Sequence, residues 1–176
     1  MQISGQSDKF AEMNSEKNIS ISFTGHRTYI GEADAQLRNT LRQLYDDGYT
    51  RFLSGMAWGW DLAAAEAVIE LKNEYSDVAL VAVEPYAEFR NLFHSEDLAR
   101  YNRVVEAADE VVVVSEQGGD AAFRMRNDYL VDNSAMVVAW FDGKPRGGTA
   151  YTVRRARHSH LPVITLMPNP QLSLGF

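Results

Sequence analysis

Phe52–Val83 reads FLSGMAWGWDLAAAEAVIELKNEYSDVALVAV, and it contains one complete structural cycle. Phe52 to Ser54 is a short apolar strand that runs into a glycine-containing turn. Asp61 to Glu74 is alanine-rich and long enough for several helical turns. Val78 to Val83 is a continuous apolar run, the pattern of a strand buried on both faces rather than one with a wet side. Two strands joined by a helix pair in parallel through a crossover.

The same cycle recurs on either side. Upstream, Ile19 to Thr24 is β-branched and apolar and ends in Gly25, and Leu37, Leu41, Leu44 and Tyr45 fall at helical spacing within Ala33 to Asp47. Downstream come a helix over Glu88 to Ala107, a strand over Val111 to Ser115, a helix over Ala121 to Asn133 and a strand over Met136 to Phe141. Gly148 to His158 is the last helix and Pro162 to Leu166 the last strand. The reading is an α/β, Rossmann-like doubly wound fold: a mainly parallel sheet of about six strands with helices on both faces. Residues 19–167 form a single domain, residues 1–18 a flexible polar arm and residues 168–176 a tail.

A chain of 176 residues with 45% hydrophobic and 11% aromatic content closes one sizeable core. Its net charge of -7 works against phosphate polymers and anionic lipid, so nucleic acid is an unexpected partner. The absence of cysteine excludes disulfides, thiolate zinc sites and thiol catalysis, and it fits a reducing, cytoplasmic setting. The N-terminus lacks the apolar region of a signal peptide, and no apolar run approaches the roughly 18 residues of a membrane span. No metal and no cofactor are expected.

In open α/β sheets the ligand crevice lies beyond the carboxyl ends of the strands, so the residues that follow each strand are the candidates. After strand one, Thr24, Gly25, His26 and Arg27 combine a turn where a ligand can approach the backbone with donors suited to an anion. After strand two, Ser54 and Gly55 allow a sharp exit and Gly59 a second backbone approach, while Asp61 is placed to cap the following helix. The amides at that helix start suit a phosphate or carboxylate. The spacing of the two glycines nevertheless matches neither a dinucleotide fingerprint nor a phosphate loop. Trp58 and Trp60 either pack or stack on a base, with Trp58 the better candidate for the pocket. After strand three, Pro85 stops the strand, and Glu84 is an acid for a sugar hydroxyl, for proton transfer or for pairing with an arginine. In FRMRND, Arg124 and Arg126 diverge by about 200° on a helix, which favours Arg126 with Asn127. After strand five, Asp142, Gly147, Gly148 and Thr149 form a second nest of amides suited to phosphate, with Thr149 as a possible helix cap.

With TGHR, SGMAWGWD, EPY, FRMRNDYLVD and FDGKPRGGTAYT in this order, residues 19 to 166 resemble the SLOG superfamily, and within it the YpsA-like branch. The superfamily also holds the lonely-guy phosphoribohydrolases and the DNA-processing proteins. The resemblance implies a nucleotide or nucleotide-derived ligand and raises a homodimer as an expectation. Against the phosphoribohydrolases, Arg126 matches their arginine, Asn127 replaces a lysine, and Gly147, Gly148 and Thr149 resemble a shortened phosphate turn. Tyr151 stands where a catalytic glutamate is expected, and a tyrosine carries no charge near neutral pH. Any hydrolysis would fall to Asp61, Glu84 or Asp142. The DNA-processing branch fits poorly, since the basic cluster is limited to Arg154, Arg155 and Arg157. The leading expectation is a sensor of a nucleotide or ADP-ribose-like ligand. The alternatives are an N-glycosidase acting on a nucleoside monophosphate and a protein-interaction module with a vestigial pocket.

Overall fold

Among the described residues six strands build the sheet: β1 (Ser20–Gly25), β2 (Arg51–Ser54), β3 (Ala79–Tyr86), β4 (Glu110–Ser115), β5 (Met136–Trp140) and β6 (Val163–Thr165). The computed structural model describes residues 4–166; the tail expected at 168–176 lies outside the described residues. The strands are all parallel and lie in the order β4-β3-β2-β1-β5-β6. The chain winds outward from β1 to β4 and then returns to the other side of β1, which makes the β1/β5 junction the topological switch point.

Helices α2 (Asp34–Asp46), α3 (Trp60–Glu74) and α4 (Ser95–Ala107) cover one face, and α5 (Asp120–Asp132) and α6 (Gly148–His158) the other. Alternation along each strand divides the core accordingly. Ile21, Phe23, Phe52, Leu80, Ala82 and Val138 meet Leu37, Leu41 and Val68 on the first face. Leu53, Val81 and Val83 meet Leu130 of α5 on the second, and Val137 meets Val131 and Ala156. The doubly wound reading therefore holds, with one difference at the edge. In β4, Val112 and Val114 pack inward, whereas Val111 and Val113 remain 45% and 46% exposed because α4 lies over β3.

Three local expectations change. The N-terminal arm is helical over Ser4–Asn18 (α1), joined to the body where the Ser20 hydroxyl donates to the Glu16 carbonyl. The helix expected over residues 88–107 is broken into a 3-10 turn, Ala87–Leu92, followed by α4. The break lets Phe89 and Phe93 both enter the core against Tyr101. Nor does Pro85 stop β3, which continues to Tyr86. Pairing with β2 ends at Ser54 opposite Ala82, and beyond it β3 pairs with β4 alone, so a residue without an N–H is tolerated on the free side.

Candidate functional site

The carboxyl ends of β1 and β5 open into a cleft of about 1150 Å³ at the switch point. The TGHR turn forms its floor, the first turns of α5 and α6 its walls, and the loop after β5 its rim. Of the residues singled out in the sequence, Thr24, Gly25, His26, Arg27, Asp61, Arg126, Asn127, Asp142, Gly148 and Thr149 line it.

Arg126 is the electrostatic centre. It is 6% exposed, its Nε donates to Asn127 Oδ1 at 2.8 Å, and its Nη1 donates to the Gly55 carbonyl. No hydrogen bond of its Nη2 occurs among the described residues. Asp61 Oδ2 lies 3.7 Å from Nη1 and accepts from the Ala57 amide at 3.4 Å. Burial pushes the Asp61 carboxyl up to about 6, against the opposing pull of Arg126, and burial also lowers the arginine from its ordinary value.

Beside this pair, α6 begins at Gly148, behind an N-cap glycine, Gly147, whose φ is +92° and which supplies no side-chain cap. Its first amides therefore meet the cleft at the positive end of the helix. Thr149 follows inside the first turn and does not cap it. At the rim, His26 Nε2 lies 3.0 Å from Asp142 Oδ1 and 3.3 Å from the Asp142 amide, tying the ends of β1 and β5 together. Asp142 also accepts from the Lys144 amide, which with the Lys144 ammonium and His26 holds its carboxyl below the usual range.

Gly25 lines the cleft and also packs closely against protein atoms, as do Gly55 and Gly59 outside the lining. A Cβ on Gly25 would stand 2.3 Å from Trp60 Cγ, and one on Gly59, where φ is +78°, would stand 2.5 Å from the Arg27 carbonyl oxygen. At Gly55 it would meet Arg126 Nη1 at 2.6 Å and Asp61 Oδ2 at 2.9 Å. At each of these glycines a protein atom stands within 3 Å of where a Cβ would be. The Ser54 hydroxyl donates to the Asp61 carbonyl at 2.8 Å and is buried. Asp61 does not cap α3: the cap position belongs to Gly59, and Asp61 lies inside the first turn.

Trp60 is fully buried, edge-on to Tyr29. Trp58 faces away from the cleft, toward a smaller hollow of about 460 Å³ on the α2–α4 side that Gly59 also lines. The Arg27 guanidinium covers its ring at 4.1 Å. Glu84 is drawn into the protein, where it accepts the Tyr101 hydroxyl, and it does not line the cleft.

Residues that the sequence reading passed over complete the cleft. Phe123 and Leu92 give it an apolar wall, and Lys144 and Arg146 add cations beside the α6 N-terminus. Phe123 lies 6.0 Å from the Arg126 guanidinium carbon and 5.8 Å from that of Arg27. Phe123, Arg126, Asn127 and Leu130 follow i, i+3, i+4, i+7 spacing, a signal that was available in FRMRNDYL. Leu92 carries no such signal.

Among the described residues no helix is long and apolar enough to cross a membrane. The chain is similar to several bacterial proteins. It is 30% identical over 132 residues to a UPF0398 protein of Halalkalibacterium halodurans, covering 74% of this chain and 68% of that one. It is 28% identical over 123 residues to the uncharacterized SPbeta prophage-derived protein YoqJ of Bacillus subtilis, covering 63% and 71%. Among solved structures, DNA processing protein A of Helicobacter pylori, described in a study of its single-stranded DNA binding mode, superimposes with a TM-score of 0.62. That match covers 90% of this chain and 68% of that one at 17% identity, a likeness of fold. With such a fold associated with nucleic acid in another protein, net charge alone is no ground for setting that partner aside. The model of the YpsA family, described as the YspA SLOG family, matches residues 16–163, and the chain belongs to that family.

Proposed function

We propose that the β1/β5 cleft binds a nucleotide or nucleotide-derived ligand, with an ADP-ribose-like molecule as the finer expectation. The observation that carries this reading is the convergence of a buried guanidinium, Arg126, with the uncapped N-terminus of α6 in one cleft at the switch point. A phosphate takes the amides near Gly148 and Thr149 and the free edge of Arg126. Lys144 and Arg146 attract it from the rim. The planar part of the ligand lies against Phe123 and Leu92 rather than Trp58, whose face Arg27 already covers.

Thermal shift and calorimetry against nucleoside mono- and diphosphates, ADP-ribose and a single-stranded oligonucleotide test the reading. A ligand at 100 times its Kd stabilises by about 2.7 kcal/mol. Gly148→Leu fills the cleft mouth, and a Cβ at Gly148 meets only Asn127 Nδ2, at 3.5 Å, so the fold accommodates its first carbon. Binding should vanish in this variant while the circular dichroism spectrum stays native. Unaltered binding removes the phosphate assignment, and silence across the panel removes the nucleotide reading.

A hydrolytic role is the second reading, favoured by one observation: Asp61 lines the cleft with its carboxyl raised to about 6, where it can hold or release a proton near neutral pH. Free base in the product mixture, detected by chromatography, would establish it.

A further inference from the structure

We infer that Asp61 is the sugar-hydroxyl acceptor of the cleft, which makes the ligand a ribose-bearing phosphate ester rather than one lacking both ribose hydroxyls. This rests on the nucleotide reading above and narrows it to a substrate class.

Asp61 is 5% exposed and lines the cleft, yet only half of its carboxylate is used. Oδ2 has the Ala57 amide and Arg126, and the backbone is fixed by the Ser54 hydroxyl on the Asp61 carbonyl. Oδ1 is shielded from solvent and has no hydrogen-bond partner among the described residues. A buried carboxylate oxygen without a donor costs free energy until something supplies one, and buried polar groups in folded proteins are nearly always satisfied. The donor must be a water or a ligand group.

The rival acids are already committed. Asp142 Oδ1 accepts from the Lys144 amide and lies beside His26, and its Oδ2 faces the Lys144 ammonium. Glu84 is held by Tyr101 outside the cleft. Among the described residues, Asp61 alone of the three acidic candidates has a solvent-shielded carboxylate oxygen without a hydrogen-bond partner. Its position relative to the phosphate site points to a sugar: the Asp61 carboxylate and the Arg126 guanidinium, 3.7 Å apart, both line the cleft that the α6 amides face. A phosphate on the outer edge of that guanidinium and a hydroxyl donor at Asp61 are the two ends of a single pentose phosphate. The base then extends toward Phe123 and Leu92.

A donated hydrogen bond to a carboxylate, withheld from an analogue that lacks the hydroxyl, changes affinity by about 10- to 100-fold. The test is calorimetric titration of the full chain with the adenosine, guanosine, cytidine and uridine 5′-monophosphates and diphosphates and their 2′,3′-dideoxy counterparts. The ribonucleotides should bind about 10-fold or more tightly than the dideoxy forms. In Asp61→Ala the ratio should fall to near one, and in Asp61→Asn, which keeps the shape, it should fall several-fold. The ratio separates recognition from a structural role, because a merely loosened cleft weakens both ligands together. Equal binding of both forms to the native chain means that Oδ1 holds only water; this overturns the inference and leaves the nucleotide reading standing. A ratio that survives in both folded variants assigns the hydroxyl to another residue and overturns it as well. If Asp61→Ala does not fold, Asp61→Asn decides. If no nucleotide binds the native chain, both readings fall.

Discussion

Gly25→Ala tests how the turns after β1 and β2 fit together. The added Cβ would stand 2.3 Å from Cγ, 2.4 Å from Cδ1 and 2.6 Å from Cβ of Trp60. Carbon atoms rest at about 3.5–4.0 Å, so all three contacts are short by about 1 Å or more. Trp60 cannot easily swing aside, since it is fully buried with Tyr29 edge-on at 5.0 Å. Overpacking of a closed core costs about 1–3 kcal/mol, and three simultaneous overlaps with an immobile ring place this substitution near 3 kcal/mol. Trp60→Ala alone should cost about 3–5 kcal/mol through the cavity it leaves. Because Trp60→Ala removes Cγ and Cδ1 but keeps the Cβ at 2.6 Å, the double variant should recover part of the Gly25→Ala cost, giving a coupling of about 1–2 kcal/mol in a urea-denaturation cycle. A cost below about 1 kcal/mol for Gly25→Ala, or additive single variants, would refute the packing account. A ligand-facing glycine would show the opposite signature, lost nucleotide binding with stability unchanged.

Glu84→Gln should leave nucleotide affinity within about two-fold and lower stability by about 1 kcal/mol, because the Tyr101 hydroxyl loses a charged acceptor; calorimetry and urea titration check the two halves. Asp61 holds its proton more tightly in the folded protein, at about 6 against an ordinary 3.8. The stability it contributes is therefore full below about pH 4 and lost as the pH rises through about 6, by roughly 3 kcal/mol at most. Asp61→Asn should lack that decline when unfolding free energies are compared between pH 4 and 7. Arg27→Ala removes the cation from the Trp58 face and should cost about 0.5–2 kcal/mol, accompanied by a change in tryptophan emission. An unchanged spectrum would contradict the stacked geometry.

The fold was legible because the strands advertise their burial. Val78–Val83 and Met136–Phe141 are unbroken apolar runs, and such runs joined by helices leave few arrangements besides a parallel sheet with two covered faces. Strand β4 shows the limit of that signal. VVVVS has the same composition, yet it lies at the edge, where one face is open. Composition reports what a strand tolerates, whereas strand order decides what covers it. The break before α4 was hidden for a related reason: Phe89 and Phe93 are four apart, as in a helix, and only the packed core shows that a 3-10 turn serves both better.

For the candidate site, position along the chain was informative and side-chain direction was not. Everything after a strand in this topology arrives at the same edge of the sheet, which is why His26, Asp61, Arg126, Asp142 and Thr149 share one cleft although up to 123 residues separate them. The edge has two sides, however, and residues one or two apart diverge at a helix start. In SGMAWGWD, Trp58 leans toward α4, Trp60 fills the space over Gly25, and only Ala57 and Asp61 turn toward β5. Against the glycines that looked reserved for a ligand press an indole, the Arg126–Asp61 pair and the Arg27 backbone. The two tryptophan side chains therefore do not form the ligand wall of this cleft. By packing against the TGHR turn they hold the start of α3 in place, and that placement carries Asp61 to Arg126.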